Sequence, residues 1–340
     1  MPAPNQKVLV IGGTGAQGMP VVRALAKDNK YTISVLTRTA SSSSATELSC
    51  LPGVSIISGD AYDDTVLHAA FKNVDSAFVN TNGFAIGEKA ELYWGIRMFE
   101  IAAEHRVKHF VWANLDSSYK LSEWNPRYKT GHFDGKDKVA DWIKAQGTGI
   151  AMKWSILTSC MYLEMFFELL APFPEIIDGE KVYVFKAPVG TGTPPMIYLE
   201  DLGRYAKWLF DHPNKANGMN LKIATEQVGW TNLSQSFTEV TGKTATFKDI
   251  SLDEYFALPL FPDLDAKVGH SVGHDDRTLQ TYRQNFSGFW NTWKDNILVR
   301  DYELLDRILP TRVKSVGEWM ELTGYSGERQ SVLKDYRDRK

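Results

Sequence analysis

Gly12, Gly15 and Gly18 recur every three residues, directly after the apolar run at residues 7–11 (KVLVI) and ahead of a segment with helical spacing, residues 19–27. A strand, a glycine turn and a helix in that order are what a dinucleotide pyrophosphate needs. The first glycine permits the tight turn, the second lets the backbone approach the phosphates, and the third lets the helix pack close to the strand. The N-terminus of that helix offers backbone N–H groups and the positive end of a dipole. The second strand, residues 32–36, runs into Thr37 and Arg38 with no acid. NAD sites usually carry an acid there for the ribose hydroxyls, whereas an arginine forks onto a 2′-phosphate. Arg38, with Thr39 and the serines at 41–44 as further donors, therefore points to NADP(H). Asp60 follows the third strand, and two readings stay open: a contact to the adenine, or a loop acid beside Asp63 and Asp64.

A hydride-transfer site also needs a proton donor, for which Tyr-x-x-x-Lys is the familiar pair because the lysine eases the phenol's proton off. Four residues after Tyr119 stands Glu123, after Tyr128 His132, and after Tyr162 Phe166. Tyr93 is followed by Arg97, but in the helix after the fourth strand. What remains is His132-Phe-Asp-Gly-Lys136. If it opens a helix, His132 and Lys136 share one face. A lysine in a low-dielectric pocket can work as acid or base; holding a ribose is the equal alternative for Lys136. His132 reads more readily as a structural histidine, and Tyr128 and Tyr119 stand behind Lys136 as donors. Ser117 and Ser118 follow the fifth strand as turn hydroxyls or substrate contacts. His270 and His274 have a spacing that can hold zinc on a helix, but Gly273 and the missing general-base glutamate argue for a polar loop, so no metal is expected. Cys160, just past the sixth strand, is expected to pack rather than react.

Short β-branched runs at residues 7–11, 32–36, 54–57, 77–79, 110–112 and 154–157 alternate with helical segments. One of these, 88–105, places Leu92, Ile96, Phe99 and Ala103 on one face. The alternation implies right-handed crossovers and a Rossmann-type, doubly wound parallel α/β sheet. After Thr158 it weakens into short strands (182–185, 220–223) and helices (201–210, 233–240, 252–255). Residues 161–170 read as a core helix whose Tyr162, Met165 and Phe166 could also wall a pocket, and residues 327–340 as a solvated tail. The expected division is a dinucleotide-binding domain over 1–158 and a smaller mixed α/β substrate or partner region over 159–340, with some elements returning to the sheet.

These residues resemble the NmrA-like family of atypical short-chain dehydrogenases, and within it the NADPH-sensor type. The resemblance rests on Val10–Gly18 (VIGGTGAQG), Leu36-Thr-Arg38, Gly59-Asp60, Asn80-Thr-Asn82, Gly131–Lys136 (GHFDGK) and Tyr162-Leu-Glu164, and less specifically on 197–203 (IYLEDLG). It implies NADP(H) held by Gly12, Gly13, Thr14, Gly15, Ala16 and Gln17, by Arg38, Asp60 and Ala61, by Thr81, Asn82 and Gly83, by Lys136, and by Tyr162, Leu163, Glu164 and Met165. Related reductases use a lysine near position 136 to relay a proton. Sensor-type members carry a basic run after the arginine, where this chain has serines, and a lysine where it has Tyr93.

With 43% hydrophobic and 23% charged residues, the 340-residue chain has the balance of a soluble globular enzyme. A net charge of −3 without a basic run excludes a direct nucleic-acid binder. No apolar leader or membrane-length run is visible, and two cysteines make no disulfide scaffold, so a cytoplasmic protein is expected. The leading expectation is an NADPH-dependent reductase of a carbonyl, imine or activated alkene in a small, aromatic-friendly substrate. The alternative is a non-catalytic NADP(H) redox sensor acting on a regulatory protein partner, and a homodimer is compatible with either.

Overall fold

The computed structural model describes residues 5–269 and 276–333. Its strands, in chain order, are β1 (Gln6–Ile11), β2 (Tyr31–Thr37), β3 (Val54–Ser58), β4 (Ser76–Val79), β5 (His109–Asn114), β6 (Lys153–Thr158), β7 (Met161–Tyr162), β8 (Phe173–Ile177), β9 (Glu180–Ala187), β10 (Pro195–Ile197), β11 (Asn220–Lys222), β12 (Glu226–Gln227) and β13 (Ala245–Asp249). The helices that matter below are α1 (Gly18–Ala26), α2 (Ser43–Ser49), α3 (Asp64–Phe71), α4 (Gly83–Glu104), α5 (Ser118–Leu121), α6 (Gly131–Ala145), α7 (Leu199–Asp211), α8 (Pro213–Ala216), α9 (Trp230–Thr241), α10 (Leu252–Phe256) and α11 (Tyr282–Lys294). The chain divides into two compact units. One takes the stretch up to Leu115 with Gly135–Ser159 and Leu199–Ile223; the other takes Asp116–Asp134, Cys160–Tyr198 and the stretch from Ala224 onward.

The first unit is an all-parallel seven-stranded sheet in the order β11-β6-β5-β4-β1-β2-β3. Strands buried on both faces read as unbroken apolar runs, and β1, β4 and β5 do so: Val8–Ile11 and every residue of β4 and β5 are buried. The order reverses between β1 and β4, and ligands of such sheets bind outside the carboxyl ends of the strands at that reversal.

The face of α4 differs from the expected one. Glu91, Gly95, Met98 and Ala102 are buried, while Leu92 and Ile96 are half-buried and Ala103 is exposed. Helix packing rather than hydropathy decides this. A Cβ on Gly95 would lie 2.6 Å from the Val139 side chain of α6, so the two helices approach through the glycine. The helix also starts earlier than residue 88, at an Asn82 cap, with a kink at Gly87 (φ 75°, ψ 166°).

The second unit holds two small sheets, β12-β10-β7 and β13-β9-β8, over an aromatic core that includes Phe166, Trp230, Trp290, Trp319 and Tyr325. Residues 161–170 are not one helix: β7 pairs with β10, and a 3-10 helix, Leu163–Phe167, follows. Phe166 is fully buried among Phe185, Trp230 and Trp319, as a core residue is. The described part of the expected tail is anchored, since the N–H groups of Val332 and Leu333 donate to Glu168 (2.7 and 2.8 Å). Among the described residues no helix is long and apolar enough to cross a membrane.

Candidate functional site

The turn after β1 is built as its glycines predict. Gly12 has φ +77°, and a Cβ there would collide with the Asn80 carbonyl. A Cβ on Gly18 would strike the Gly12 carbonyl, so α1 rests directly on the turn. At Gly15 a Cβ would press on Gly12 O, at 3.3 Å, so glycine keeps the turn tight and leaves its backbone bare of a side chain. Gly13 packs on Val35 of β2, Thr14 Oγ1 meets Thr37 Oγ1 at 3.3 Å, and the Gln17 amide donates to Ser159 Oγ at 3.1 Å. Ala16 lies half-buried in the same turn. Arg38, exposed at the end of β2, has no carboxylate partner among the described residues, and Thr39 beside it is also exposed. Of the serines, Ser42 is spent as the N-cap of α2, accepting from Ala45 N. Asp60 Oδ1 accepts from Tyr62 N at 3.0 Å and turns the loop through Ala61.

Beyond β4 the chain passes the glycine turn again. Asn80 N donates to Ile11 O (3.2 Å), and its carbonyl touches Gly12. Asn82 caps α4, which opens at Gly83, and Asn82 N donates to the Tyr62 hydroxyl at 3.2 Å. Lys136, on the second turn of α6, reaches into this bend. Its Nζ lies 3.2 Å from Asn80 Oδ1, 2.9 Å from Thr81 O, 3.1 Å from Thr81 Oγ1 and 3.0 Å from Glu91 Oε1. Thr81 Oγ1 in turn donates to Glu91 Oε1 at 2.6 Å. Lys136 is 5% and Glu91 0% exposed. Glu91 is the site residue that sequence reasoning missed. The one available signal was its position four residues before Gly95, on the face α4 turns inward.

The other expected donors belong to the second unit and have contacts of their own there. His132 Nδ1 lies 3.0 Å from Asn285 Oδ1, and the ring is boxed by Phe133, Phe286 and Phe289. The Tyr128 hydroxyl donates to Asp295 at 2.9 Å, and partial burial together with that carboxylate raises its pKa. Tyr119 stands edge-on to Trp124. Tyr162 and Glu164 are half-buried, whereas Leu163 and Met165 are buried. Ser117 caps α5 and donates to Asp134 at 2.7 Å; Ser118 Oγ is buried with no hydrogen-bond partner among the described residues. Burial pushes the Cys160 thiol up to about 12, the environment of a packed, unreactive cysteine. Tyr93 is exposed, and the Arg97 guanidinium goes to Asp64 (2.9 Å). Among the described residues no three His, Cys, Asp or Glu side chains cluster as a metal would need. His270 and His274 lie outside the described residues.

Strand order 3-2-1-4-5-6 with a glycine turn after β1 defines a Rossmann-type protein of the dinucleotide-binding class. The model of the NmrA-like family matches residues 4–284, and the chain belongs to that family. The NmrA-like family domain-containing oxidoreductase hkm9 of Aspergillus hancockii is 28% identical over 277 residues, covering 78% of this chain and 81% of that protein. NmrA, a negative transcriptional regulator solved in complex with NADP, matches with a TM-score of 0.73 at 16% identity, covering 94% of this chain and 95% of that one. The NADPH-dependent quinone oxidoreductase QOR2 of Escherichia coli, complexed with NADPH, matches with a TM-score of 0.67 at 17% identity, covering 94% and 100%. These structural likenesses establish the fold.

Proposed function

We propose that the protein is an NADP(H)-dependent oxidoreductase that reduces a carbonyl, imine or activated alkene in a small, aromatic-friendly substrate. In this reading residues 1–158 chiefly hold the cofactor and residues 159–340 chiefly recognise the substrate or a partner. The observation that carries it is the meeting of two functions at Asn80: its backbone carbonyl closes on the glycine turn, and its side chain accepts from the Lys136 ammonium. Lys136, the proton donor of this reading, is thus linked through Asn80 to the glycine turn. A bare backbone at Gly15 and an Arg38 with no carboxylate partner among the described residues fit the pyrophosphate and 2′-phosphate of NADP(H). Bound NADPH would supply the hydride. Lys136 would give a proton to the substrate atom that becomes electron-rich, and Thr81 and Asn80 would orient Nζ. The oxidoreductase name of hkm9 and the NADPH bound to QOR2 support the class.

The test follows NADPH oxidation by absorbance across ketones, imines, enones and quinones. Turnover should fall roughly 10²-fold or more in Lys136→Ala, the usual effect of losing a positioned acid, with NADPH binding retained. Turnover that survives the change would remove Lys136 from the mechanism. Tight NADPH binding without oxidation would favour the second reading, a redox sensor for a protein partner, which the likeness to the NADP-bound regulator NmrA supports.

A further inference from the structure

We propose that Glu91 is a positioning residue that holds Lys136 as an ammonium, so that the relay stands ready as a proton donor, the form that reduction requires. The proposal rests on the reading of Lys136 as the relay. Carboxylates are almost never fully buried unless paired, and Glu91 is completely buried within the sheet unit. Its Oε1 takes both the Thr81 hydroxyl and Lys136 Nζ. Its Oε2 has no hydrogen-bond partner among the described residues and lies against two glycines; a Cβ at Gly83 or Gly135 would come within 2.6 or 2.7 Å of it. Among the described residues the negative charge is therefore answered by the Lys136 ammonium and the Thr81 hydroxyl, with the Tyr62 phenol also in its field.

The hydrogen-bond directions assign the protonation state. The Thr81 hydroxyl proton is spent on Glu91, so toward Nζ its oxygen can only accept. Asn80 Oδ1, Thr81 O and Glu91 Oε1 are acceptors as well. An amine lone pair at Nζ would face oxygen acceptors and find no donor, while an ammonium satisfies three of its four neighbours at once. The Trp112 ring, 5.3 Å from Nζ, adds a surface that favours a cation. Position is set by the helices: α4 and α6 close on each other through Gly95 and Val139, and one turn earlier on each helix stand Glu91 and Lys136.

In the proton step an Nζ–H bond breaks and the proton passes to the substrate oxygen or nitrogen that has gained the electron pair of the reduced double bond. The amine left behind faces a lone buried carboxylate, an unfavourable state that draws a proton back from solvent. Glu91 thus keeps Lys136 loaded between turnovers.

The experiment uses the full chain labelled with ¹⁵N-lysine, with NADP⁺ present, and reads side-chain ammonium resonances against pH. The wild type should show one slowly exchanging ammonium, assigned by its loss in Lys136→Gln. In Glu91→Gln that signal should vanish or titrate about one to three pH units lower, the effect of a close opposite charge. An unchanged titration in Glu91→Gln, or no protected ammonium in the wild type, would overturn the proposal. Kinetics give the second readout: Glu91→Gln should lower kcat about tenfold or more and move the alkaline limb downward, with the substrate KM changed less than about twofold. If the wild type shows no turnover on any substrate, the relay reading fails, and the resonance still decides whether Glu91 holds Lys136. Should Glu91→Gln not fold, the double variant Glu91→Leu with Lys136→Met becomes the control. Recovery of the fold supports the pair, since an apolar replacement removes both charges together, and continued failure overturns it.

Discussion

His109 opens β5 with its ring buried, and its hydrogen bonds define its tautomer. Ser155 Oγ donates to Ala216 O at 2.7 Å, so it must accept from His109 Nε2–H at 2.8 Å. Nδ1 has no partner among the described residues. Burial, with Lys153 adding to it, pushes this imidazole from its ordinary 6.5 down to about 4. Above pH 6.5 both folded and unfolded chains keep it neutral, and its stabilising contribution is complete. As the pH falls from 6.5 to about 4, the unfolded chain takes up a proton the folded one refuses, so stability drops by about 1.4 kcal/mol per pH unit. Urea unfolding at pH 7 and pH 5 should therefore show the wild type losing about 2 kcal/mol more than His109→Gln over that interval; equal losses would mean the ring is charged inside the fold. Among the candidate site residues, Gly12, Gly15 and Gly18 were legible because the role proposed for them lies in having no side chain, and Arg38 because no acid stands beside it. Glu91 was not legible, because an isolated carboxylate in an amphipathic pattern reads as solvent-facing until the partner on another helix is known.

Elements show the same division. Strands β1, β4, β5 and β6 were readable because burial on both faces leaves continuous apolar runs, and β2 and β3 because their β-branched residues favour a strand even where it is partly exposed. The β8–β9 hairpin was also written in the chain, since Asp178 and Gly179 both take positive φ in the two-residue turn, but it sits among breakers that mask the flanking strands. The inward face of α4 was not readable, because a glycine contact outranks hydropathy there. A second such contact gives a test. Gly203 of α7 lies on the Pro20 backbone of α1, where a Cβ would stand 2.5 Å from the Pro20 carbonyl carbon, and Arg23 of α1 bonds Glu200 of α7. Gly203→Ala must push α1 off its seat, and overpacking of this kind costs about 1–3 kcal/mol. Because α1 follows the phosphate turn, NADPH affinity should fall with stability. Gly149→Ala, with nothing within 4 Å of its Cβ, is the control and should stay within about 0.5 kcal/mol. Equal effects at both positions would show that the α1–α7 contact carries no strain.

At the scale of the whole molecule, cofactor choice can be read without knowing any substrate, because a ligand that binds only the folded chain raises its stability by mass action. At a hundred times Kd the gain is about 2.7 kcal/mol, a shift of a few degrees in Tm for a chain of this length. The overall charge of −3 gives no general attraction for a polyanion, so any preference for NADPH over NADH must come from local groups. Arg38 is placed for that role: it is exposed at the end of β2, next to the strand that carries the glycine turn, and has no carboxylate partner among the described residues. The serines that follow offer hydroxyls but no charge, and Ser42 is already committed to α2. The discrimination should therefore rest on one guanidinium. At equal concentrations NADPH should raise Tm more than NADH in the wild type. Arg38→Gln should bring the NADPH shift down to the NADH value while leaving the latter unchanged, since the proposed pyrophosphate contacts are to the Gly12–Gly18 backbone and not to Arg38. A preference that survives Arg38→Gln would move recognition of the 2′-phosphate to the serine segment, and a loss of both shifts would show that Arg38 supports the turn itself.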